Sequence, residues 1–371
     1  MAMRANRCPS GGMRRSTTFP IWSGGSRQKP RVCRDASWRS GTVAALPLTA
    51  HVAAALRRSP YRIVVTGARG WIGRATLDLL HDALGDTFAE RVLCFGSRLA
   101  EIDLSPLRTI DQRPLRELGA LPCQPTLVLH FAFLTKDRAE VMSESAYRAA
   151  NRAIRQHVLD ALDPIGAEAV FVASSGAAQY VDDDAASPPM RLYGMLKRED
   201  EDAFAAWAEA RGHRAAIARI FNLSGPHINK VRSYALSAFL LDALAGGPVT
   251  VHARHHVRRG YVAIRELMSL GIALLLDPQG GVTRFSSGGE HIELGALAAT
   301  IAAAAGCAVD RPAVGHDRAD VYLGDDRRYR HLLDHHAIER VSLNDQIAET
   351  MAFLKNRVTP CCVQDPHAED P

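Results

Sequence analysis

Aromatic residues make up only 6% of the 371 residues, and no apolar stretch is long enough to span a bilayer. The longest apolar run, 43–56, falls short of the roughly 20 residues a spanning helix needs. It also contains Pro47 and His51. A membrane segment is therefore not expected. The seven cysteines (Cys8, Cys33, Cys94, Cys123, Cys307, Cys361 and Cys362) form no C-x-x-C pair and have no histidine partner at zinc spacing. That argues against structural zinc and a disulfide framework, and for a reducing, cytoplasmic compartment. Internal repeats are absent too.

Acidic residues are scarce in one region only. The first fifty residues hold nine Lys or Arg and a single acid, Asp35. The remaining chain carries 36 basic against 39 acidic residues, so the overall charge of +5 comes from the leader. A body of slightly negative charge argues against a nucleic-acid partner. Residues 1–57 are rich in Arg, Ser and Gly without apolar periodicity, and are expected to be a disordered basic leader. The same composition fits an organellar transit peptide, or translation from an upstream start that is not used.

What is present centres on residues 63–74, Ile-Val-Val-Thr-Gly-Ala-Arg-Gly-Trp-Ile-Gly-Arg. A β-branched run meets glycines at 67, 70 and 73, and apolar residues at helical spacing follow (Ala75, Leu77, Leu79, Leu80, Leu84). Strand, tight turn and helix in this order are the context in which spaced glycines hold a dinucleotide. Gly67 is expected to allow the turn, Gly70 to admit the pyrophosphate and Gly73 to let helix pack on strand. The helix N-terminus then offers free N–H groups to phosphate. Here the spacing is G-x-x-G-x-x-G rather than the commoner G-x-G-x-x-G.

Residues 91–96 read as the second strand, whose end should lie beside the adenosine ribose. A carboxylate there would bond the 2′-hydroxyl. This chain instead has Gly96-Ser97-Arg98, and Arg69 adds a cation from the glycine turn. NADP(H) is favoured over NAD(H) on that ground. Residues 102–104 are expected to form a short turn that brings Asp103 to the adenine. Further buried strands are expected at 126–133, 169–173 and 215–222, with helices at 147–162, 233–245, 264–276, 294–305 and 343–355. Short strands are expected at 249–252 and 260–262. Such alternation implies an α/β fold: a Rossmann-type doubly wound parallel sheet with a smaller C-terminal substrate-binding lobe. The expected organisation is leader 1–57, dinucleotide domain 58–226, a mainly substrate-binding lobe 227–358 with some elements returning to the sheet, and a tail 359–371.

After the strand ending Ser174-Ser175-Gly176 comes Tyr193-x-x-x-Lys197. Four residues apart on a helix, the two side chains share a face. The ammonium should lower the phenol pKa and make Tyr193 a usable acid or base.

Together these stretches resemble the extended short-chain dehydrogenase/reductases, the NAD-dependent epimerase/dehydratase group. The resemblance rests on the glycine turn, His130-Phe131-Ala132-Phe133, Ser174-Ser175-Gly176, Tyr193-x-x-x-Lys197, Arg219-Ile220-Phe221-Asn222-x-x-Gly225-Pro226, Arg259-Gly260-Tyr261-Val262 and the helix at 294–298. It covers about residues 60–355. It implies Tyr193 as acid/base, Lys197 on the nicotinamide ribose and Ser175, with Ser174 second, on the substrate oxygen. It also implies cofactor contacts from Gly67, Arg69, Gly70, Trp71, Ile72, Gly73, Ser97, Arg98, Asp103, Phe131, Ala132 and Phe221. Asn222 and Arg259 fall where the family meets a nucleotide-sugar diphosphate, and a homodimer is the expected assembly.

Departures from the family pattern shape the expected reaction. Gly176 stands where many members carry the catalytic Ser or Thr, four before Tyr180. Gly176-Ala177 replace the Asp-Glu pair of the 4,6-dehydratases, which speaks against elimination. Arg265-Glu266 stand where two aspartates are usual. Ala68-Arg69-Gly70-Trp71 with Ser97-Arg98 resembles the NADP-using 4-keto-sugar reductases, so reduction is favoured over epimerisation. A reductase of a non-sugar carbonyl and a non-catalytic cofactor-binding sensor or scaffold are the rival classes. The histidines at 252, 255 and 256 read as a solvated basic loop, and His335-His336, expected at a helix start, have no ligand partner in sequence.

Overall fold

The computed structural model describes residues 47–105, 108–184, 186–315 and 319–357. The expected leader up to residue 46 and the expected tail lie outside the described residues.

In chain order the first half runs α1 (Ala50–Arg58), β1 (Arg62–Thr66), α2 (Trp71–Leu84), α3 (Phe88–Arg91), β2 (Val92–Gly96), β3 (Ala100–Ser105), β4 (Arg108–Pro114), β5 (Thr126–His130), α4 (Lys136–Val141), α5 (Glu144–Leu162), β6 (Ala167–Ser175), α6 (Pro188–Arg211), β7 (Arg214–Ile220) and β8 (Asn222–Ser224). The second half continues α7 (Ala235–Leu244), β9 (Val249–Thr250), β10 (Val257–Ala263), α8 (Ile264–Leu276), β11 (Val282–Ser286), β12 (Glu290–Glu293), α9 (Leu294–Ala305), β13 (Val309–Asp310), β14 (Asp320–Tyr322), α10 (Arg327–His335) and α11 (Leu343–Arg357).

The large sheet has the order β11-β7-β6-β5-β1-β2-β4-β3. Its pairings are parallel except β3 on β4. Because side chains alternate across a strand, the central strands feed two cores. Ile63 and Val65 of β1 and Phe171 of β6 enter one core, where α2 and α8 supply Leu77, Leu80, Leu267 and Leu270. Val64, Val170 and Val172 enter the other, closed by Val158 and Leu162 of α5 and Phe204 and Trp207 of α6. The fold is thus the expected doubly wound sheet with helices on both faces.

Beside it lies a smaller sheet, β12-β10-β14, with β8 joined to β10. Since β8 follows β7 after a single residue, the small sheet is fixed at the carboxyl end of the large one.

Several local expectations are corrected. The boundary placed at residue 57 is too late, because Leu48, Val52 and Leu56 are buried in the first core and α1 packs on α2 and α8. The periodic apolar positions of α1 were masked by the Arg-rich sequence around them. Residues 102–104 form no turn: they belong to β3, and antiparallel pairing with β4 leaves Asp103 exposed. The strand expected to reach residue 133 ends at His130. There Tyr147 and Asn151 of α5 capture the following loop, Tyr147 donating to the Leu134 carbonyl (2.6 Å) and the Leu134 N–H donating to Asn151 (2.8 Å). Asn151, buried near the start of α5, is thereby a loop anchor. The placement of strand β11 and helix α8 is not a correction: both lie beyond residue 226 and are elements that return to the large sheet and its helical layer.

Candidate functional site

Strand β1 sits between β5 and β2, so the chain leaves it in one direction and returns on the other side. Such a switch point opens a crevice at the carboxyl ends of the strands. Here the crevice measures about 650 Å³, within the usual range for small-molecule sites.

The glycine turn forms one wall. Gly67 has a φ of +71°, and a Cβ there would come within 2.6 Å of the Ala132 nitrogen. A Cβ on Gly73 would lie 2.5 Å from the Gly67 carbonyl oxygen. Both glycines are therefore sterically required. Gly70 caps α2, and only the Gly67 oxygen, at 3.3 Å, stands near its missing Cβ. The cradle thus exposes helix N–H groups without side chains, the arrangement that admits a pyrophosphate. Trp71 donates its indole N–H to the Pro226 carbonyl (2.8 Å) and packs on Tyr234, fixing the roof.

From this turn the crevice passes Phe131, Ala132 and Phe133 and ends at Ser175, Tyr193, Lys197, Phe221 and Asn222. The structure brings Gly67, Arg69, Gly70, Trp71, Ile72, Gly73, Ser97, Phe131, Ala132, Ser175, Tyr193, Lys197, Phe221 and Asn222 together as lining residues.

Arg98, Asp103 and Arg259 are not among the lining residues. Arg98 is exposed, and its carbonyl accepts from the Gln112 amide (2.9 Å). Gln112 lines the crevice in its place. Arg259 is held by Asp320 (2.7 Å), a consequence of β14 pairing with β10. Asn222 reaches both the crevice and the Gly260 carbonyl (3.2 Å).

Helix α6 delivers the phenol and the ammonium on one face. Close packing makes this possible: a Cβ on Gly194 would stand 2.2 Å from the Ala177 oxygen. Lys197 donates to the Ala173 carbonyl (2.7 Å) and lies 3.8 Å over the Phe133 ring. Burial draws its ammonium down to about 8, although Asp200 and Glu201 pull the other way. Tyr193 meets Phe133 edge-on at 5.6 Å.

The expected lowering of the Tyr193 phenol is not what the surroundings produce. Loss of solvent pushes it above the usual tyrosine value, and the hydrogen bond with Ser175 offsets only part of that. Beneath the site, His130 is kept neutral by burial and by Lys197, which bring it down to about 3.

The two serines separate clearly. Ser174 donates to Glu201 (2.5 Å), whose buried carboxylate also accepts from Arg219 (2.7 Å). Ser175 accepts the Ala177 N–H (3.2 Å) and faces the phenols of Tyr193 and Tyr322, on both of which it acts to lower the pKa. Tyr322 was not anticipated. It stacks on Tyr180, packs against Phe221, and burial lifts its phenol to about 12. Its signal in the sequence is a three-residue strand, too short to single out. Lys230 and Asp137, paired across the crevice mouth (2.5 Å), have no signal in the sequence for a different reason: they come from segments far apart in the chain.

Arg265 and Glu266, the departures from a double aspartate, act structurally. Arg265 pairs with Glu349 of α11 (3.0 Å). Glu266 accepts from Tyr329 (2.7 Å) and the Val341 N–H (2.6 Å).

A model of the NAD dependent epimerase/dehydratase family matches residues 63–295. Among solved structures, MoeE5 in complex with UDP-glucose and NAD is 19% identical, with a TM-score of 0.62 over 80% of this chain and 100% of that one. A UDP-N-acetylglucosamine 4-epimerase from Methanobrevibacter ruminantium is 17% identical (TM-score 0.62, 80% of this chain, 99% of that one). DesIV, a dTDP-glucose 4,6-dehydratase from Streptomyces venezuelae, crystallised as a double mutant with NAD and DAU, is 20% identical (TM-score 0.57, 79% and 97%). Likeness at this level is one of fold. Among the described residues, no helix is long and apolar enough to cross a membrane.

Proposed function

Because the chain belongs to the NAD-dependent epimerase/dehydratase family, we propose that it reduces or epimerises a nucleotide-sugar-like substrate, using a nicotinamide dinucleotide and Tyr193 as the proton-transfer group. One observation carries this reading: Tyr193, Lys197 and Ser175 converge at the end of a crevice that begins at a side-chain-free glycine cradle. The substrate class follows the relatives, whose structures hold UDP-glucose or UDP-N-acetylmuramic acid.

A bound nicotinamide supplies or accepts the hydride; the chain supplies position and protons. Lys197, fixed by the Ala173 carbonyl, is in place to hold the ribose beside it. Ser175 is assigned to the substrate oxygen, since Ser174 is committed to Glu201. Tyr193, with its phenol raised, keeps its proton at neutral pH and is set to donate it as a carbonyl becomes an alcohol. Ala177 and Ala178 fill the turn after Ser175 and offer no acid or base for elimination.

NADP(H) is the preferred coenzyme in this reading. Among the described residues, no carboxylate lines the crevice at the end of β2, where Ser97 and Gln112 sit, and Arg69 is the cation that lines it nearby.

One observation favours a second reading, reduction of a carbonyl that carries no diphosphate. Arg259, the expected diphosphate contact, is bound by Asp320 instead of lining the crevice. A panel of UDP- and dTDP-sugars, incubated with NADPH and NADH, tests both. Net oxidation of the coenzyme marks a reductase, and an isomerised sugar without net change marks an epimerase. Coenzyme binding with no reaction on any nucleotide sugar would move the assignment to the second reading.

A further inference from the structure

We propose that Asp277, His335 and His336 bind a divalent transition-metal ion of the Zn²⁺ type. The site lies outside the crevice, and the proposal does not depend on the function proposed above. In sequence the two histidines have no partner. In the fold they fall at the end of α10, not at a helix start, and the end of α8 brings Asp277 to them. One ligand atom from each residue lies within 4.8 Å of the other two.

Around a tetrahedral zinc with bonds of about 2.05 Å, ligand atoms stand roughly 3.3 Å apart. Rotation of the exposed His335 ring and of the half-buried Asp277 and His336 side chains can close that gap. Two imidazoles and one carboxylate suit zinc, nickel or copper and disfavour magnesium or calcium, which prefer all-oxygen sets.

A second, independent feature points the same way. Asp277 is the C-cap of α8 and His336 the C-cap of α10, so two helix C-termini converge on one spot. Both present the negative end of the backbone dipole, which favours a cation. Supporting groups are also in place. The Gln279 N–H donates to one Asp277 oxygen (2.9 Å), leaving the other for the ion. His331, one turn before His335, stacks on it at 6.4 Å and packs against that ring. His51 of α1 donates its ring N–H to the His336 carbonyl (2.9 Å), tying a third element to the cluster.

Asp277 precedes β11, which puts the cluster at the amino ends of the strands, opposite the crevice. The ion would therefore clamp the ends of α8 and α10 rather than take part in turnover.

The test uses the full-length chain, freed of metal by a chelator and titrated with ZnCl₂ by calorimetry. One equivalent should bind and raise Tm, because an ion held only by the folded state stabilises it. Asp277→Asn and the double variant His335→Ala/His336→Ala should each weaken that binding by at least about tenfold, on the scale at which metal sites answer to lost support. CoCl₂ provides a direct readout: a visible d–d spectrum with imidazole ligation, lost in both variants. His335→Gln, a change at an exposed position, covers the case in which the double variant fails to fold. Absence of Zn²⁺ binding overturns the proposal. So does binding of equal affinity in the variants, which would assign the ion to other histidines or cysteines of the chain.

Discussion

Gly176 and the Phe221 ring are in such close contact that a Cβ on residue 176 would lie 2.6 Å from the ring carbons. The family's usual hydroxyl at this position is therefore replaced by an aromatic ring from the end of β7. Gly176→Ser should lower stability by about 1–3 kcal/mol, the scale of overpacking. The double variant Gly176→Ser/Phe221→Leu should recover most of it. Thermal unfolding of the two proteins checks this, and an unchanged Tm in the single variant would contradict it.

Tyr193→Phe should reduce kcat by about 10²–10⁴-fold, the contribution of a positioned acid or base, with coenzyme affinity nearly unchanged. Ser175→Ala should lower kcat far more than it lowers Tm, since the only bond it loses in the fold is the one capping the Ala177 N–H. Ser174→Ala should do the opposite, costing about 1–2 kcal/mol of stability through its buried bond to Glu201. Kinetics and melting of the same three proteins separate these outcomes.

Coenzyme affinity should fall as pH rises through about 8, where the Lys197 ammonium of the free protein loses its proton. In the proposed role of Lys197 on the ribose, the charged form is the stronger donor, so binding should be strongest below that pH. Folding stability should move the other way. The unfolded chain holds this proton up to the ordinary lysine value of 10.5, and the folded chain only to about 8. Between those values the unfolded state binds more protons, so this residue's contribution to stability rises with pH. Isothermal titration of NADPH and denaturant melts across this range give the two slopes, and Lys197→Met should flatten both.

Arg69→Ala should weaken NADP(H) by about 1.5–3 kcal/mol, the worth of a hydrogen bond to a charged group, and NAD(H) little. Arg98→Ala should have the smaller effect, because Arg98 does not line the crevice. Equal losses for both coenzymes in Arg69→Ala would show that Arg69 does not meet the 2′-phosphate that distinguishes NADP(H), and would remove the ground for preferring it.

Leu56→Ala should destabilise by about 2–5 kcal/mol, the range for a buried leucine. Leu56 is 1% exposed and packs in the first core, although its neighbours Arg57 and Arg58 gave it the look of a basic leader. Equilibrium unfolding measures the loss, and a change below about 0.5 kcal/mol, typical of a surface site, would put α1 outside the cooperative unit.

Local chemistry carried much of this protein in its sequence. Glycines at 67 and 73 could not be anything larger, β-branched runs could only pair as buried strands, and Tyr193 and Lys197 had to share a helix face. Each follows from steric or periodic rules acting within a few residues. Other outcomes needed contacts between distant segments. Ser174 and Ser175 look alike until Glu201 takes one of them and leaves the other facing Tyr193 and Tyr322. Arg259 looks like a ligand until β14 brings Asp320 beside it. His335 and His336 look idle until the end of α8 delivers a carboxylate. Neighbours in three dimensions decide what a polar group does, because desolvation and partner geometry set its charge and its hydrogen bonds, and neither is a property of the chain taken in order.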